Sequence, residues 1–519
     1  MEGERGRKFM KILKESLWPF HRSVSFEKLP EIADFLKLIV SRRDEEKQIP
    51  RCPVSACRLF SGPAEANFNS HLKEKIMKTS RRRLIQLASL SAAGFGGAAF
   101  LPVVFGENAP NSRIRCAAVG VGGRGRYDAS LHARHAELVM LADLDRKRLA
   151  DTNAVVCGGK AEATADYRKI LDRKDIDVVC VATPDHWHTK ICLDALDAGK
   201  HVFCEKPLTL TIRENQVLRE KALTNPKLVM AVGTQRRCEM PRFTRAVNMV
   251  KQGLLGDIKR VLVSLGKPPY VTGKPTPEQR FKPVPIPVDF DWNTWQGQAP
   301  EFPFMEKRAH HNFRGWYEYA GGKVTDWGAH YLDTALWALG EDQPEKGIVQ
   351  VDPSDCFHPL AMKDGFPAET DFFNVPYDFY FRTKTANGVQ VDIETRLDNG
   401  ILFEGTKGRI FVNLGRITGK PIEEAWDADC YGEEARKAIF KGKPVTDHMT
   451  NFYLCVREGG EPVSDVFTHT QTMTSLHVVN IAARLERPLT WDPKAEKFVG
   501  DEQANSFINR EQRKGFEVC

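Results

Sequence analysis

From residue 113 onward, short apolar runs alternate with longer stretches in which apolar positions recur every three or four residues. The runs RCAAVG, ELVMLAD, DIDVVCVAT, HVFCEKP and KLVMAVG are each short enough to be one buried strand. Between them, YDASLHARHAE, HTKICLDALDAGK and TIRENQVLREKALTN have the helical period, and the second of these stops at Gly199. Buried strands alternating with helices predict a parallel sheet covered by helices on both faces. Helical periodicity returns in DWGAHYLDTALWAL, which predicts a helix over 326–339. Residues 267–322 are rich in Pro and aromatic side chains and have little periodicity, which predicts a functional loop or lid.

With 519 residues, 42% hydrophobic and 28% charged, the composition is that of a globular chain of two or three domains. A fully disordered chain, a collagen and a small disulfide scaffold are excluded. The net charge of +7 would suggest an acidic partner if it lay on the folded body, but Met1–Arg83 carries 19 basic and 11 acidic residues. The remainder is close to neutral, so no nucleic-acid partner is expected. The twelve cysteines are scattered without a Cys-x-x-Cys pair, and Cys116, Cys180 and Cys204 fall inside apolar runs, as buried core thiols would. Zinc of the finger or ribbon type is not expected.

The charge belongs to a leader. Residues 77–111 open with Met77, pass through Arg81, Arg82 and Arg83, and continue into an uncharged stretch diluted by Gly and Ala. That layout is an export signal, and SRRRLIQL resembles the twin-arginine type. The same stretch is long enough for a membrane anchor, but Gly94, Gly96, Gly97 and Pro102 weaken such a helix. Residues 1–76 are expected to be a non-native or disordered extension, with Met77 as the true start. The protein is then exported to the periplasm. If the extension is genuine, the protein stays in the cytoplasm.

The first strand ends in Gly120-Val121-Gly122-Gly123-Arg124-Gly125, and a helix follows. In that context a G-x-G-x-x-G has a mechanism: Gly120 makes the tight turn, Gly122 admits a pyrophosphate and Gly125 lets helix and strand pack. The helix N-terminus, at Gly122 and Gly123, holds the anion. Asp143 ends the second strand, where a carboxylate accepts the adenosine ribose hydroxyls and disfavours a 2′-phosphate. NAD is therefore expected, with NADP kept open by Arg146. Thr183 and Pro184 close one strand at its carboxyl end, and Glu205 and Lys206 close the next. Ligands of doubly wound sheets bind there.

GVGGRG, ATPDHWH, AGKHVFCEKP and GGKVTDWGAHYLDTALWALG together resemble the Gfo/Idh/MocA oxidoreductase family from residue 112 to the C-terminus. DWNTWQGQAP resembles a stretch of the family's exported bacterial members, with Gln298 in place of their usual proline. DHMTNFYLCVREGGEPVSD and NIAARLERPLTWDP resemble that branch's closing segments. The resemblance implies an α/β architecture: a doubly wound Rossmann domain over 112–236 and a C-terminal α/β domain over 237–519 with an open mixed or antiparallel sheet. That sheet would provide a substrate wall and a homo-oligomer contact. The family's Glu-Lys-Pro lysine matches Lys206, its Asp-x-x-x-His pair matches Asp326 and His330, and the histidine closing T-P-x-x-x-H matches His188. No metal is implied.

Helical spacing by itself puts Asp326, His330 and Asp333 on one face, with Gly321 and Gly322 opening that face to a ligand. Hydride transfer from an alcohol carbon needs a proton acceptor and a group that holds the developing alkoxide. His330 suits the first role, Lys206 the second with proton relay, and Asp326 would orient His330 or a substrate hydroxyl. His311, Arg314, Tyr317 and Tyr319 have the mix of flat faces and donors that suits a sugar ring. The expected function is an NAD(P)-dependent oxidoreductase acting on a sugar, polyol or cyclitol CH–OH, with a tightly bound cofactor because the periplasm has no ready NAD pool. A redox-neutral lyase, hydrolase or epimerase of the same fold and a non-catalytic NAD- or sugar-binding protein are the alternatives. The family's exported glycosidase-like branch departs from the Glu-Lys-Pro lysine, so Lys206 favours the dehydrogenase.

Overall fold

The protein is described by a computed structural model, which covers residues 113–238, 241–271, 273–420 and 433–518. The expectations for residues 1–76 and for the leader at 77–111 lie outside the described residues. All described residues belong to one compact unit, 107–519.

The alternating runs fold as their pattern predicts. Strands β1 (Arg115–Val119), β2 (Glu137–Ala142), β3 (Glu162–Thr164), β4 (Val178–Val181), β5 (His201–Cys204) and β6 (Met230–Val232) form a parallel sheet of order β3-β2-β1-β4-β5-β6. Helices α1 (Gly123–His132), α2 (Arg146–Cys157), the one-turn α3 (Arg168–Leu171), α4 (Asp185–Asp197) and α5 (Ile212–Thr224) make the crossovers. β1, β4 and β5 are almost fully buried because helices cover both of their faces. Cys116, Cys180 and Cys204 sit in that core, and burial pushes the Cys116 thiol up to about 12.

Helix α6 (Pro241–Lys251) leads into the second layer. β7 (Ile258–Ser264), β8 (Ile348–Phe357), β11 (Asp378–Thr385), β12 (Gln390–Glu394), β13 (Gly400–Gly405), β14 (Arg409–Val412), β15 (Ile417–Thr418), β16 (Leu489–Asp492) and β17 (Lys497–Phe498) form a nine-stranded sheet. Its order is β15-β14-β13-β7-β12-β11-β8-β16-β17, and it is mixed: β7 and β12 pair in parallel, while the neighbours of both are antiparallel. A separate hairpin joins β9 (Met362–Lys363) to β10 (Phe366–Pro367). Strand β11 alternates, with Phe379, Phe381, Thr383 and Thr385 buried and Arg382 and Lys384 exposed. One face of the sheet is therefore packed and the other solvated. The packed face meets helices α8 (Gly322–Leu339) and α10 (Val466–Leu485), while α9 (His448–Glu458) packs on the Rossmann core through Met449, Phe452 and Tyr453. Helix α7 (Trp292–Gln296) lies in the Pro-rich stretch.

Two expectations change here. The helix predicted over 326–339 begins one turn earlier, and Gly321 and Gly322 do not open a ligand path. A Cβ on Gly322, whose φ is +67°, would meet Val375 at 2.8 Å, and one on Gly321 would press on Asn480, so these glycines let the helix start pack against protein. Asp333 leaves the expected site face and joins a buried network with Arg237, Asp342 and His469. The Pro-rich stretch builds its own aromatic core from Trp292, Trp295, Phe304, Phe313, Trp316 and Tyr319 and is tied to the Rossmann sheet by an Asp145–Phe290 bridge. Among the described residues no helix is long and apolar enough to cross a membrane.

Candidate functional site

The carboxyl ends of β1, β2 and β4 open into a cleft of about 1140 Å³. Its floor is the glycine turn. Gly120 needs its φ of +78°, and a Cβ there would come within 2.7 Å of the Thr183 backbone nitrogen. A Cβ on Gly125 would collide with the Gly120 carbonyl oxygen, so this glycine allows α1 to pack on β1. At Gly123 the same position meets nothing within 4 Å, and the free N–H groups of the first turn of α1 face that space.

The groups around this floor fit a dinucleotide. Asp143 lines the cleft, accepts hydrogen bonds from Val121 N at 2.8 Å and Asp145 N at 2.9 Å, and is pushed up to about 6 by burial. The buried Thr183 hydroxyl has no partner among the described residues, and Pro184 lies beside it in the lining. Arg146 is exposed and outside the cleft; Arg148 lines it instead and pairs with Asp145 at 3.3 Å. Phe290, Asp291, Thr294 and Trp295 from the Pro-rich stretch form the opposite wall, and Phe516 of the C-terminal tail reaches in to pack edge-on against Trp187 at 6.0 Å.

Glu205 acts on this cleft through Arg124, which donates to its Oε1 at 2.8 Å and itself lines the pocket. His188 is placed differently from expectation. Its Nδ1 lies 2.7 Å from the Pro207 carbonyl and its Nε2 2.7 Å from the Thr183 carbonyl, so it braces the ends of β4 and β5 and is absent from the cleft lining. Burial holds it neutral, down to about 4.

Beside the cleft, though outside its lining, the structure brings Lys206 and Asp326 together across 120 residues of chain. Lys206 Nζ donates to Asp326 Oδ1 at 2.7 Å and to the Asp326 carbonyl at 2.9 Å. Arg314, which lines the cleft, reaches the same Oδ1 at 3.3 Å. The two cations hold the buried Asp326 carboxyl well below the usual range against the opposing effect of burial. Asp326 therefore holds Lys206 and Arg314, where it was expected to orient His330 or a substrate hydroxyl. His330 has a buried Nδ1 without a partner among the described residues, and burial together with the Arg236 and Lys206 cations keeps the ring neutral.

His311 joins Arg314 on the cleft wall, whereas His310 turns to Asp145 at 3.5 Å and stacks near Phe290. Tyr317 and Tyr319 do not reach the cleft. Tyr319 is fully buried against His186 and Trp295, and the Tyr317 hydroxyl lies 3.1 Å from His358 Nε2. Their apolar bodies complete the aromatic core of the Pro-rich stretch. Three groups beside Asp326 escaped the sequence reading. Asp185 follows Pro184 directly and is pushed up to about 7 by burial; the Tyr270 hydroxyl is buried without a partner among the described residues; Lys323 lies one turn ahead of Asp326. The position of Asp185 at a strand's carboxyl end was the available signal.

The family descriptions "Oxidoreductase family, NAD-binding Rossmann fold" and "Oxidoreductase family, C-terminal alpha/beta domain" match residues 114–233 and 244–518. The chain belongs to the Gfo/Idh/MocA oxidoreductase family. Its N-terminal domain is an NAD-binding Rossmann domain, matching the glycine turn and Asp143 seen in the cleft. Among Gfo/Idh/MocA relatives, the chain is similar to a glycosyl hydrolase family 109 protein of Shewanella pealeana, 29% identical over 215 residues, 35% of this chain and 45% of that protein. It is also 34% identical over 119 residues to the levoglucosan dehydrogenase of Pseudarthrobacter phenanthrenivorans, 22% of this chain and 30% of that one. The chain thus spans less than half the length of these curated relatives. In fold it is similar to the WlbA dehydrogenase of Bordetella pertussis, solved with NADH and UDP-GlcNAcA, at a TM-score of 0.52 and 19% identity over 72% of this chain and 98% of that one.

Proposed function

We propose that this protein is an NAD-dependent dehydrogenase that oxidises a CH–OH group of a sugar or polyol. The observation that carries the reading is the Lys206–Asp326 pair, set beside a cleft whose floor fits a dinucleotide. The dinucleotide, when bound, supplies the hydride acceptor. Glycines 120, 122, 123 and 125 with Asp143, Thr183 and Pro184 would hold it, and Glu205 would fix Arg124 over the glycine turn.

Lys206 has three N–H donors and spends two on Asp326. The third is free for the substrate oxygen, where it stabilises negative charge as the hydroxyl proton leaves. His330, kept neutral by its surroundings, has a ring nitrogen free to accept that proton. Asp326 holds Lys206 and Arg314 in place, and Arg314 and His311 supply donors for the remaining hydroxyls. Walls from Trp295 and Phe516 favour tight retention of the cofactor, which an exported enzyme requires.

The test replaces Lys206 by Ala and follows reduced nicotinamide at its absorbance band across a panel of sugars. Turnover should fall roughly 10²- to 10⁴-fold with nucleotide affinity nearly unchanged. Unimpaired turnover refutes the reading. The glycosyl hydrolase family 109 relatives favour a second reading, a redox-neutral cycle on the same site. Product formed without net nucleotide reduction in the wild-type protein selects it.

A further inference from the structure

A second cavity, of about 550 Å³, shares no lining residue with the cofactor cleft. Three turns of the nine-stranded sheet build it: Gly266 and Lys267 after β7, residues 395–399 between β12 and β13, and residues 413–415 between β14 and β15. These turns meet at one end of the sheet because β12 runs parallel to β7, while β13 runs antiparallel to β7 and to β14. Helix α8 adds Tyr331, the residue after His330. The volume falls in the range of small-molecule sites, roughly 300–1,000 Å³.

Tyr331 is fully buried, and its hydroxyl has no well-formed hydrogen bond among the described residues; Arg236 lies over the face of its ring, 4.3 Å from the centroid. A buried hydroxyl left in that state is costly, and a ligand hydroxyl entering beside it removes the cost. At the rim, Leu397 and Leu414 are 59% and 48% exposed and line the same cavity from different turns. Large apolar side chains held in water around one small cavity mark a contact surface. Gly266 has a φ of +62°, and a Cβ there would collide with Asn399 Oδ1, so the glycine lets this amide lie along the wall. The side chains of Asn399, Lys267 and Asp398 have no hydrogen-bond or ion-pair partner among the described residues. Asn413 spends its Oδ1 on the N–H groups of Gly415 and Arg416, both at 2.9 Å, which leaves its NH₂ unspent.

The charges of this lining nearly cancel. Lys267 and Asp398 are opposite in sign, and Arg396 is already engaged by Asp378 at 2.9 Å and Asp355 at 3.6 Å. The cavity therefore has little to attract an anion, and its unspent groups mix donors with acceptors. A ligand that carries many neutral hydroxyls around an apolar C–H face matches both the polar groups and the two leucines. We propose that this cavity is a second carbohydrate site, taking a neutral sugar unit outside the cofactor cleft. Tyr331 and Asn399 bond its ring hydroxyls, Lys267 and Asp398 hold hydroxyls at the rim, and Leu397 and Leu414 cover its C–H face.

The test is calorimetric titration of the full chain, loaded with NADH, with lactose, maltose, cellobiose and xylobiose. Inorganic phosphate and citrate serve as competing anions. At least one disaccharide should bind with a Kd of roughly 1 mM or below. The double variant Leu397→Ser with Asn399→Ala, both on exposed turns, should weaken that binding roughly 10-fold or more, and Tyr331→Phe, which removes only the hydroxyl, roughly 3-fold or more. Lys206→Ala should leave it unaltered. Melting temperatures of the variants separate a folding defect from a lost contact. Absence of binding at about 10 mM of every disaccharide, an affinity unchanged in the double variant, loss of binding in Lys206→Ala, or displacement of the sugar by phosphate or citrate overturns the proposal. If a disaccharide binds through this cavity while no sugar reduces the cofactor, the dehydrogenase reading falls and this one stands. If sugars reduce the cofactor and the cavity variants change no affinity, the reverse holds.

Discussion

Replacing Arg237 by Met should be among the most destabilising single changes in the chain, although the residue touches neither cleft nor substrate. Arg237 sits in the turn after β6 and is 2% exposed. Its guanidinium grips Asp333 with two bonds, Nε to Oδ2 at 2.7 Å and Nη2 to Oδ1 at 2.8 Å, and Nη2 also reaches Asp342 at 3.1 Å. His469 and Thr472 of α10 add contacts to Asp333 at 3.3 and 3.2 Å. The end of the Rossmann sheet is thereby tied to α8 and α10. Removing the cation strands two buried carboxylates, a loss of about 3–5 kcal/mol. For a unit this large that corresponds to a fall in Tm on the order of 10 °C.

The pH dependence gives the argument a sign. In the wild-type protein Asp333 is held well below its unfolded value by Arg237, so its stabilisation is present above about pH 4 and is lost as pH falls toward its folded value. Without the guanidinium, burial dominates and raises the carboxyl, so the variant gains stability as pH falls from 7 to about 4. The gap between the two proteins in urea unfolding should therefore narrow on acidification. Adding Asp333→Asn to the variant should recover part of the loss, because it removes one stranded charge. A cost below about 1 kcal/mol at pH 7, or a gap that widens as pH drops, would refute the reasoning.

Asp185, raised to about 7 by burial, contributes stability that is complete below about pH 4 and lost as pH rises through 7. Asp185→Asn, which mimics the protonated form, should therefore gain on the wild type in melting temperature between pH 5 and pH 8, and a gap that does not move with pH counts against that assignment. Phe516 packs on Trp187 inside the cleft, and its tail is anchored by Arg513 to the Gly297 carbonyl at 3.0 Å. Phe516→Ala should speed NAD release roughly 3- to 10-fold in a chase experiment with fold stability little changed, and an unaltered release rate would remove the tail from the binding site.

How far the sequence reveals this molecule depends on how local each constraint is. Gly120 and Gly125 were legible because their demand is met within one turn: a positive φ at the first and a backbone contact at the second. Asp143 follows from its position at the end of β2. Strand β3 was not legible, since Glu162–Thr164 is three residues with no apolar run, and it forms because β2 offers an edge. Helical periodicity put Asp333 on a shared face with Asp326, but a period specifies direction and not partner, and the partner, Arg237, lies 96 residues away. Tyr317 and Tyr319 failed for a related reason: an aromatic in a Pro-rich stretch is equally suited to a sugar face or a core, and only the packing of Tyr319 against Trp292 and Trp295, and of Tyr317 against His358, decides for the core. Lys206 and Asp326 came together only through the family resemblance, because no rule of spacing reaches across 120 residues.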